Sequence, residues 1–223
     1  MFKSEQELVN CITRHVGSQS DLMVRGSRRS VFTEVNLGYG IADVVAVGYE
    51  DNFTQRRNHL EFFDISLLSL IENQEKVSFE DIVYITKSPA RKINDSLMSL
   101  IGDEFVVFRK GHYFSHKKYA ESLTDSIAIE AKLKDWRRAL KQAYRYKWFS
   151  EKSFVFLPAE NTTVPQQNRH LFEKYNVGLA GVSEDTGIEV IFSPVEERPI
   201  SARMRIALNE HLLFQCDTQT GGF

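Results

Sequence analysis

The stretch Ser126-Ile127-Ala128-Ile129-Glu130-Ala131-Lys132-Leu133 runs into Asp135-Trp136-Arg137-Arg138-Ala139-Leu140-Lys141-Gln142-Ala143-Tyr144-Arg145-Tyr146, and these two segments decide how the chain is read. Successive side chains of a strand alternate between its faces. Ile127, Ile129, Ala131 and Leu133 therefore make one wholly apolar face, as expected of a strand whose rear packs on a core. The same alternation puts Glu130 and Lys132 side by side on the other face. In the helical segment, Trp136, Ala139, Leu140 and Ala143 recur at i, i+3, i+4 and i+7, with Arg138, Gln142 and Arg145 along a polar flank. That flank is either the lining of a cleft or a solvated face.

Upstream, Val31-Phe32-Thr33-Glu34-Val35-Asn36-Leu37 and Ile41-Ala42-Asp43-Val44-Val45-Ala46-Val47 read as two strands joined at Gly38-Tyr39-Gly40. Asp43 is a charge inside an apolar strand. A buried carboxylate is costly unless it is paired or bound to a metal, so Asp43 either faces water or needs a partner, and Glu130 with a shared cation would supply one. A carboxylate and an ammonium at one strand end suit metal-assisted phosphodiester hydrolysis: the carboxylate holds a divalent cation, and the lysine orients or helps deprotonate the attacking water. Glu-x-Lys alone carries little information, because charged residues make up 26% of this chain. The strand Asp and the following helix supply the specificity. If they share a cation, the carboxylates of Asp43 and Glu130 converge beside Lys132 at a concave sheet edge; on opposite sheet faces they share nothing.

Together these residues resemble the PD-(D/E)XK, or restriction-endonuclease-like, nucleases. Asp43 matches the single metal-binding Asp, Glu130 and Lys132 match the Glu-x-Lys, and Gln142 with Tyr146 matches the Gln-x-x-x-Tyr helix pattern of the RecB-like branch. The order also fits that family's αβββαβ core: a helix near 4–17, strands near 30–37, 40–49 and 126–133, a helix over 134–149 and a strand over 153–158. Ala42 stands where the name-giving pattern has proline. The resemblance implies a mixed central sheet and Mg²⁺ (or Mn²⁺) held by Asp43, Glu130 and the Ala131 carbonyl. It also implies that Lys132 acts on the water, with Gln142 and Tyr146 in support. For the extra acidic residue of many members, Glu34 is the first candidate, with Glu5 and Glu7 behind it.

Residues 51–123 are too many for a loop and do not read as structureless. Leu60, Phe63, Leu67, Leu68 and Ile71 follow helical spacing, Ser78-Phe79-Glu80-Asp81 is a capping-box start, and Ser88-Pro89 opens a third helix that Gly102 closes. Glu104-Phe105-Val106-Val107-Phe108 and His112-Tyr113-Phe114, joined by Arg109-Lys110-Gly111, read as a hairpin with a basic turn. Three helices and a hairpin resemble a winged helix-turn-helix. Arg91, Lys92 and Asn94 would then face DNA between core residues Ile93 and Leu97, and Arg109, Lys110 and His112 would form the wing. Such modules also dock proteins or dimerise.

The domain expectation is thus an α/β core over 1–50 and 124–195, an insertion over 51–123, and a C-terminal helix and loose tail over 196–223. Beyond 158, a helix is expected over 166–175, a hairpin over 177–182 and 188–192, and an amphipathic helix over 199–214. His59 and His170 receive no role.

A net charge of −2 and a pI near 6.3 leave no global footprint for nucleic acid. DNA contact must come from local patches: Arg25, Arg28 and Arg29; Arg137, Arg138 and Lys141; Lys117 and Lys118. Cys11 and Cys216 are far apart with no metal-ligand spacing, which argues against a zinc or disulfide framework. No apolar run approaches membrane-spanning length and the first residues turn polar at once, so a cytoplasmic protein is expected. The functional expectation is a metal-dependent DNA endonuclease, as a homodimer or with a partner protein. The alternative is a non-catalytic nucleic-acid-binding or scaffold protein on the same fold.

Overall fold

The computed structural model describes residues 1–16, 22–38, 40–50 and 58–220, with side chains to residue 216. Tyr39 of the expected turn, residues 51–57 of the expected insertion and residues 221–223 of the expected tail lie outside the described residues. The chain is a mixed α/β protein whose contacts divide into two units, residues 1–51 with 122–205 and residues 52–121 with 206–223.

In the first unit, apolar strands, the central ones buried on both faces, build a six-stranded sheet in the order β1-β2-β5-β6-β7-β8. β1 (Arg28–Asn36) and β2 (Ile41–Tyr49) pair antiparallel, and β2 pairs antiparallel with β5 (Leu123–Ala131) in the register Val44↔Ile129. β5, β6 (Lys152–Pro158) and β7 (Gly178–Ser183) run parallel, and β8 (Gly187–Phe192) closes the edge as an antiparallel hairpin with β7. The helix α1 (Glu5–His15) buries Leu8, Cys11 and Ile12 against Val44, Ile127, Ile129, Ala131, Phe154 and Phe156. Ile127, Ile129 and Ala131 thus lie on the core face that their alternation predicts. α5 (Trp136–Tyr146) packs on β5 and β6 through its apolar stripe, and its Trp136 ring stacks on Phe172 of α7 (Arg169–Tyr175) at 5.8 Å.

Among the boundaries that differ from expectation, three have a local reason. β5 stops at Ala131 rather than 133: its pairing with β2 ends at Ile129, beyond which the Asp43 carboxylate takes the Ala131 N–H at 2.7 Å, and its pairing with β6 ends at Ala131↔Phe156. The helix expected over 166–175 is two: α6 (Thr163–Gln167) admits Pro165 in its first turn, and Asn168, at φ −104° and ψ 24°, breaks the run before α7. The last helix, α8, spans Ala202–Thr220 and so takes in part of the expected loose tail; Ser201 starts it by accepting the Met204 N–H at 3.3 Å. α8 does not form a separate appendage, since its residues to Arg205 belong to the first unit and those from Ile206 to the second.

The second unit holds α2 (Phe62–Glu72), α3 (Phe79–Thr86), α4 (Ala90–Gly102) and the hairpin β3 (Val106–Arg109) and β4 (His112–Ser115). Its core is Leu60, Ile65, Leu68, Ile71, Val77, Ile82, Ile93, Leu97, Leu100 and Val106. Ser78 and Asp81 form a reciprocal capping box at the start of α3. Pro89 is the N-cap of α4, one residue earlier than its expected place inside the first turn. Lys110 (φ 48°) and Gly111 (φ 81°) both take positive φ, the backbone that a two-residue hairpin turn needs. Val77 bridges Tyr113 and adds a third extended segment beside the hairpin. No helix among the described residues is long and apolar enough to cross a membrane.

Candidate active site

Continuing the β2–β5 register one step past Val44↔Ile129 sets Asp43 opposite Glu130, on the sheet face away from the α1 core. Both carboxylates therefore share a face, as a common cation requires. Lys132, just beyond β5, hydrogen-bonds through its N–H to the Phe156 carbonyl at 3.1 Å. Its side chain folds back into an oxygen cage: Nζ lies 2.9 Å from Glu130 Oε1, 3.1 Å from the Ala131 carbonyl, 3.2 Å from Glu5 Oε2 and 3.8 Å from Asp43 Oδ2. Glu130 is only 1% exposed, whereas Asp43 is 26% and Glu5 50% exposed, so the cluster opens to solvent from the Asp43–Glu5 side.

Tyr146 OH faces two acceptors, the Ile41 carbonyl at 2.7 Å and Glu130 Oε2. One hydroxyl thereby ties the last turn of α5 to the start of β2 and to the site's most buried carboxylate. Burial pushes up the Asp43 carboxyl, helped by the charges of Glu5 and Glu34 and opposed by the Ala131 N–H and Lys132. Burial likewise raises Glu130, opposed first by the Tyr146 hydroxyl. Burial alone would lower Lys132, but its contacts with Glu130, Asp43 and Glu5 outweigh that, and the ammonium is held above its ordinary value. Tyr146 is raised by burial and by the adjacent Glu130 charge. Three carboxylates against one ammonium hold Lys132 charged, while hydrogen bonds from the Ala131 N–H and the Tyr146 hydroxyl are the first to oppose burial at Asp43 and Glu130. Lys132 is thus held as an ammonium.

Among the described residues, no three His, Cys, Asp or Glu side chains already stand in a metal-ligand arrangement. The donor set nevertheless fits a hard divalent cation: three carboxylates and a carbonyl converge on one ammonium, leaving surplus negative charge on oxygen ligands. Asp43, Glu130 and the Ala131 carbonyl are the expected ligands, and the last two are now engaged by Lys132.

The other expected residues divide clearly. Glu34 sits across from Asp43 in the β1–β2 register, exposed and at φ 54°, and acts on Asp43 through its charge. Glu5 rather than Glu34 joins the cage, from the first turn of α1, while Glu7 accepts the Lys3 N–H at 2.7 Å. Gln142 Oε1, one turn before Tyr146, is buried with no hydrogen-bond partner among the described residues. Arg138 is exposed on α5. In the second unit, Arg91, Lys92 and Asn94 are exposed on α4, with Arg91 3.9 Å from Asp95 and Lys92 4.4 Å above the Phe63 ring. Arg109 and Lys110 are exposed at the hairpin tip.

One arrangement has no counterpart in the sequence reading. On the Glu130 face of β5, Ser126 donates to Glu151 at 2.7 Å, and Arg205 of α8 meets Glu151 at 2.8 Å and the Leu123 carbonyl at 3.1 Å. Ser126 was legible only as a polar position in an apolar strand. The chain matches no family model, no curated protein and no solved structure.

Proposed function

We propose that this protein is a divalent-metal-dependent DNA endonuclease with a restriction-endonuclease-like core and a winged-helix insertion, acting in the cytoplasm as a homodimer or with a partner protein. The observation that carries the reading is the convergence of Asp43, Glu130, the Ala131 carbonyl and Lys132 at one sheet edge. The order α1-β1-β2, insertion, β5-α5-β6 supports the core assignment, and three helices followed by a hairpin support the insertion. Asp43, Glu130 and the Ala131 carbonyl would hold Mg²⁺ or Mn²⁺, which when bound neutralises phosphate charge and acidifies its water. Lys132 would hold the attacking water or the charge developing on phosphate, and Tyr146 fixes Glu130. One active site per chain cuts one strand, so duplex cleavage requires two copies.

A second reading, a non-catalytic nucleic-acid-binding or scaffold protein on this core, is favoured by one feature: both oxygens of Glu130 are already engaged, by Lys132 and Tyr146. The deciding experiment incubates plasmid, linear and single-stranded DNA with the protein, with and without Mg²⁺ or Mn²⁺. Cleavage that requires the metal, is lost in Asp43→Ala together with metal binding, and is lost in Lys132→Met while metal binding persists, is the expected result. Full cleavage by purified Asp43→Ala protein, or no cleavage of any substrate with either ion, overturns the nuclease reading.

A further inference from the structure

The solvent side of α5 is dominated by positive charge. Its exposed residues are Arg137, Arg138, Lys141, Tyr144 and Arg145, four cations and one aromatic, in a protein of net charge −2. At 3.6 residues per turn these five positions fall within an arc of about 120°. No ion pair within the described residues neutralises any of the four cations; nearby Lys147, by contrast, is paired with Glu197 at 2.6 Å. Helix stability accounts only for Arg145, a cation in the last turn. Arg137 and Arg138 stand in the first turn, where the macrodipole disfavours positive charge, and Arg137–Lys141 and Lys141–Arg145 are like-charge pairs four residues apart. Such an arc is complementary to a polyanion.

Tyr144 adds a second kind of contact. It is 44% exposed and stands edge-on against the Tyr175 ring at 5.4 Å, with Lys174 5.5 Å over that second ring. A duplex keeps its base faces stacked inside and offers a protein only phosphates, sugars and groove edges, whereas an unpaired base can stack on an exposed ring. Around α5, the cationic arc gives way at Gln142 to Tyr146, which holds Glu130, and the Arg145 charge is felt at the Tyr146 hydroxyl.

We infer that the outer face of α5 is a track for single-stranded nucleic acid, in which Arg138, Lys141 and Arg145 take successive phosphates and Tyr144, braced by Tyr175, stacks a base. This rests on the nuclease reading for its role, delivering an unpaired strand to the Glu130 site, but its binding chemistry is independent of cleavage. The test is fluorescence anisotropy in EDTA, with a labelled oligothymidylate and a blunt duplex, across a salt series. Arg138→Ala/Lys141→Ala/Arg145→Ala should weaken oligothymidylate binding at least about tenfold and lower the salt slope by about 2, at roughly 0.7 per single-strand phosphate. Tyr144→Ala should weaken oligothymidylate binding roughly five- to a hundredfold and leave the duplex unchanged. All four positions are exposed, and an unaltered unfolding transition checks that the variants fold. Unchanged affinity and slope in the triple variant, or equal weakening of single strand and duplex by Tyr144→Ala, overturns the inference. A protein that binds as expected but never cuts sinks the nuclease reading alone, and one that cuts while the triple variant binds like the parent sinks this inference alone.

Discussion

Tyr146 shows how much one hydroxyl organises. Its single proton serves two acceptors from different strands, the Ile41 carbonyl and the almost wholly buried Glu130. Removing it strands a carboxylate oxygen and a carbonyl in a site that water reaches poorly, and a buried acceptor left unsatisfied costs about 1–3 kcal/mol. Tyr146→Phe is therefore expected to lower stability by about that amount in urea denaturation, while Phe149 and the rest of the aromatic packing stay in place. A midpoint equal to the parent's would mean that the hydroxyl holds nothing. At this scale the sequence was informative about residue type and face, because alternation is a property of the backbone itself. It was silent on reach: nothing local distinguishes Glu5, Glu7 and Glu34, and only the packing of α1 on the sheet brings Glu5 to Lys132.

At the scale of elements, the helix-hairpin segment of the second unit carries a separable prediction. Arg91 and Lys92 lie on the exposed arc of α4 and Arg109 and Lys110 at the hairpin tip, none of them in the unit's apolar core. Neutralising all four should leave the unit folded yet weaken duplex binding and flatten its salt dependence, by up to about four in slope, since each lost phosphate contact removes roughly one. Identical slopes for parent and quadruple variant would assign this face to a protein partner or a second copy. The caps of this segment were readable in advance because they are short-range: Ser78 and Asp81 find each other within one turn. The boundary at Asn168 was not, since the break is a backbone state, φ −104° and ψ 24°, that an asparagine in a helical run does not announce.

At the scale of the whole molecule, α8 contributes to both units in turn: Arg205 pairs with Glu151 in the first, and Glu210 receives the Leu60 N–H at 2.9 Å and lies 3.5 Å from His59 in the second. Next to Glu210, burial lowers the His211 imidazole from its ordinary 6.5, with the His59 charge adding to the effect. The sign follows directly. Above 6.5 the imidazole is neutral folded or unfolded and nothing is lost; as the pH falls, the unfolded chain takes up the proton first, so stability drops through the window down to the lowered folded value. The second unit should weaken in urea as the pH is taken from neutral to about 5.5. His211→Gln should lose less over that range, and an unchanged pH dependence in the variant would remove His211 from the account.

The sequence by itself determined the strand and helix periods, the apolar rear of 126–133, and the placing of Glu130 and Lys132 together. Each follows from the alternation or the 3.6-residue turn of a local backbone. That Asp43 and Glu130 share a face was a condition of a common cation and not a local pattern; the antiparallel β2–β5 register sets it. Tertiary structure alone decided that Lys132 would be caged by Glu5, that Tyr146 would reach back to Ile41, and that Ser126 would meet Glu151 and Arg205. These contacts join residues distant in the chain, and their distances are set by how helices seat on the sheet, a sum over many apolar contacts that no local pattern records.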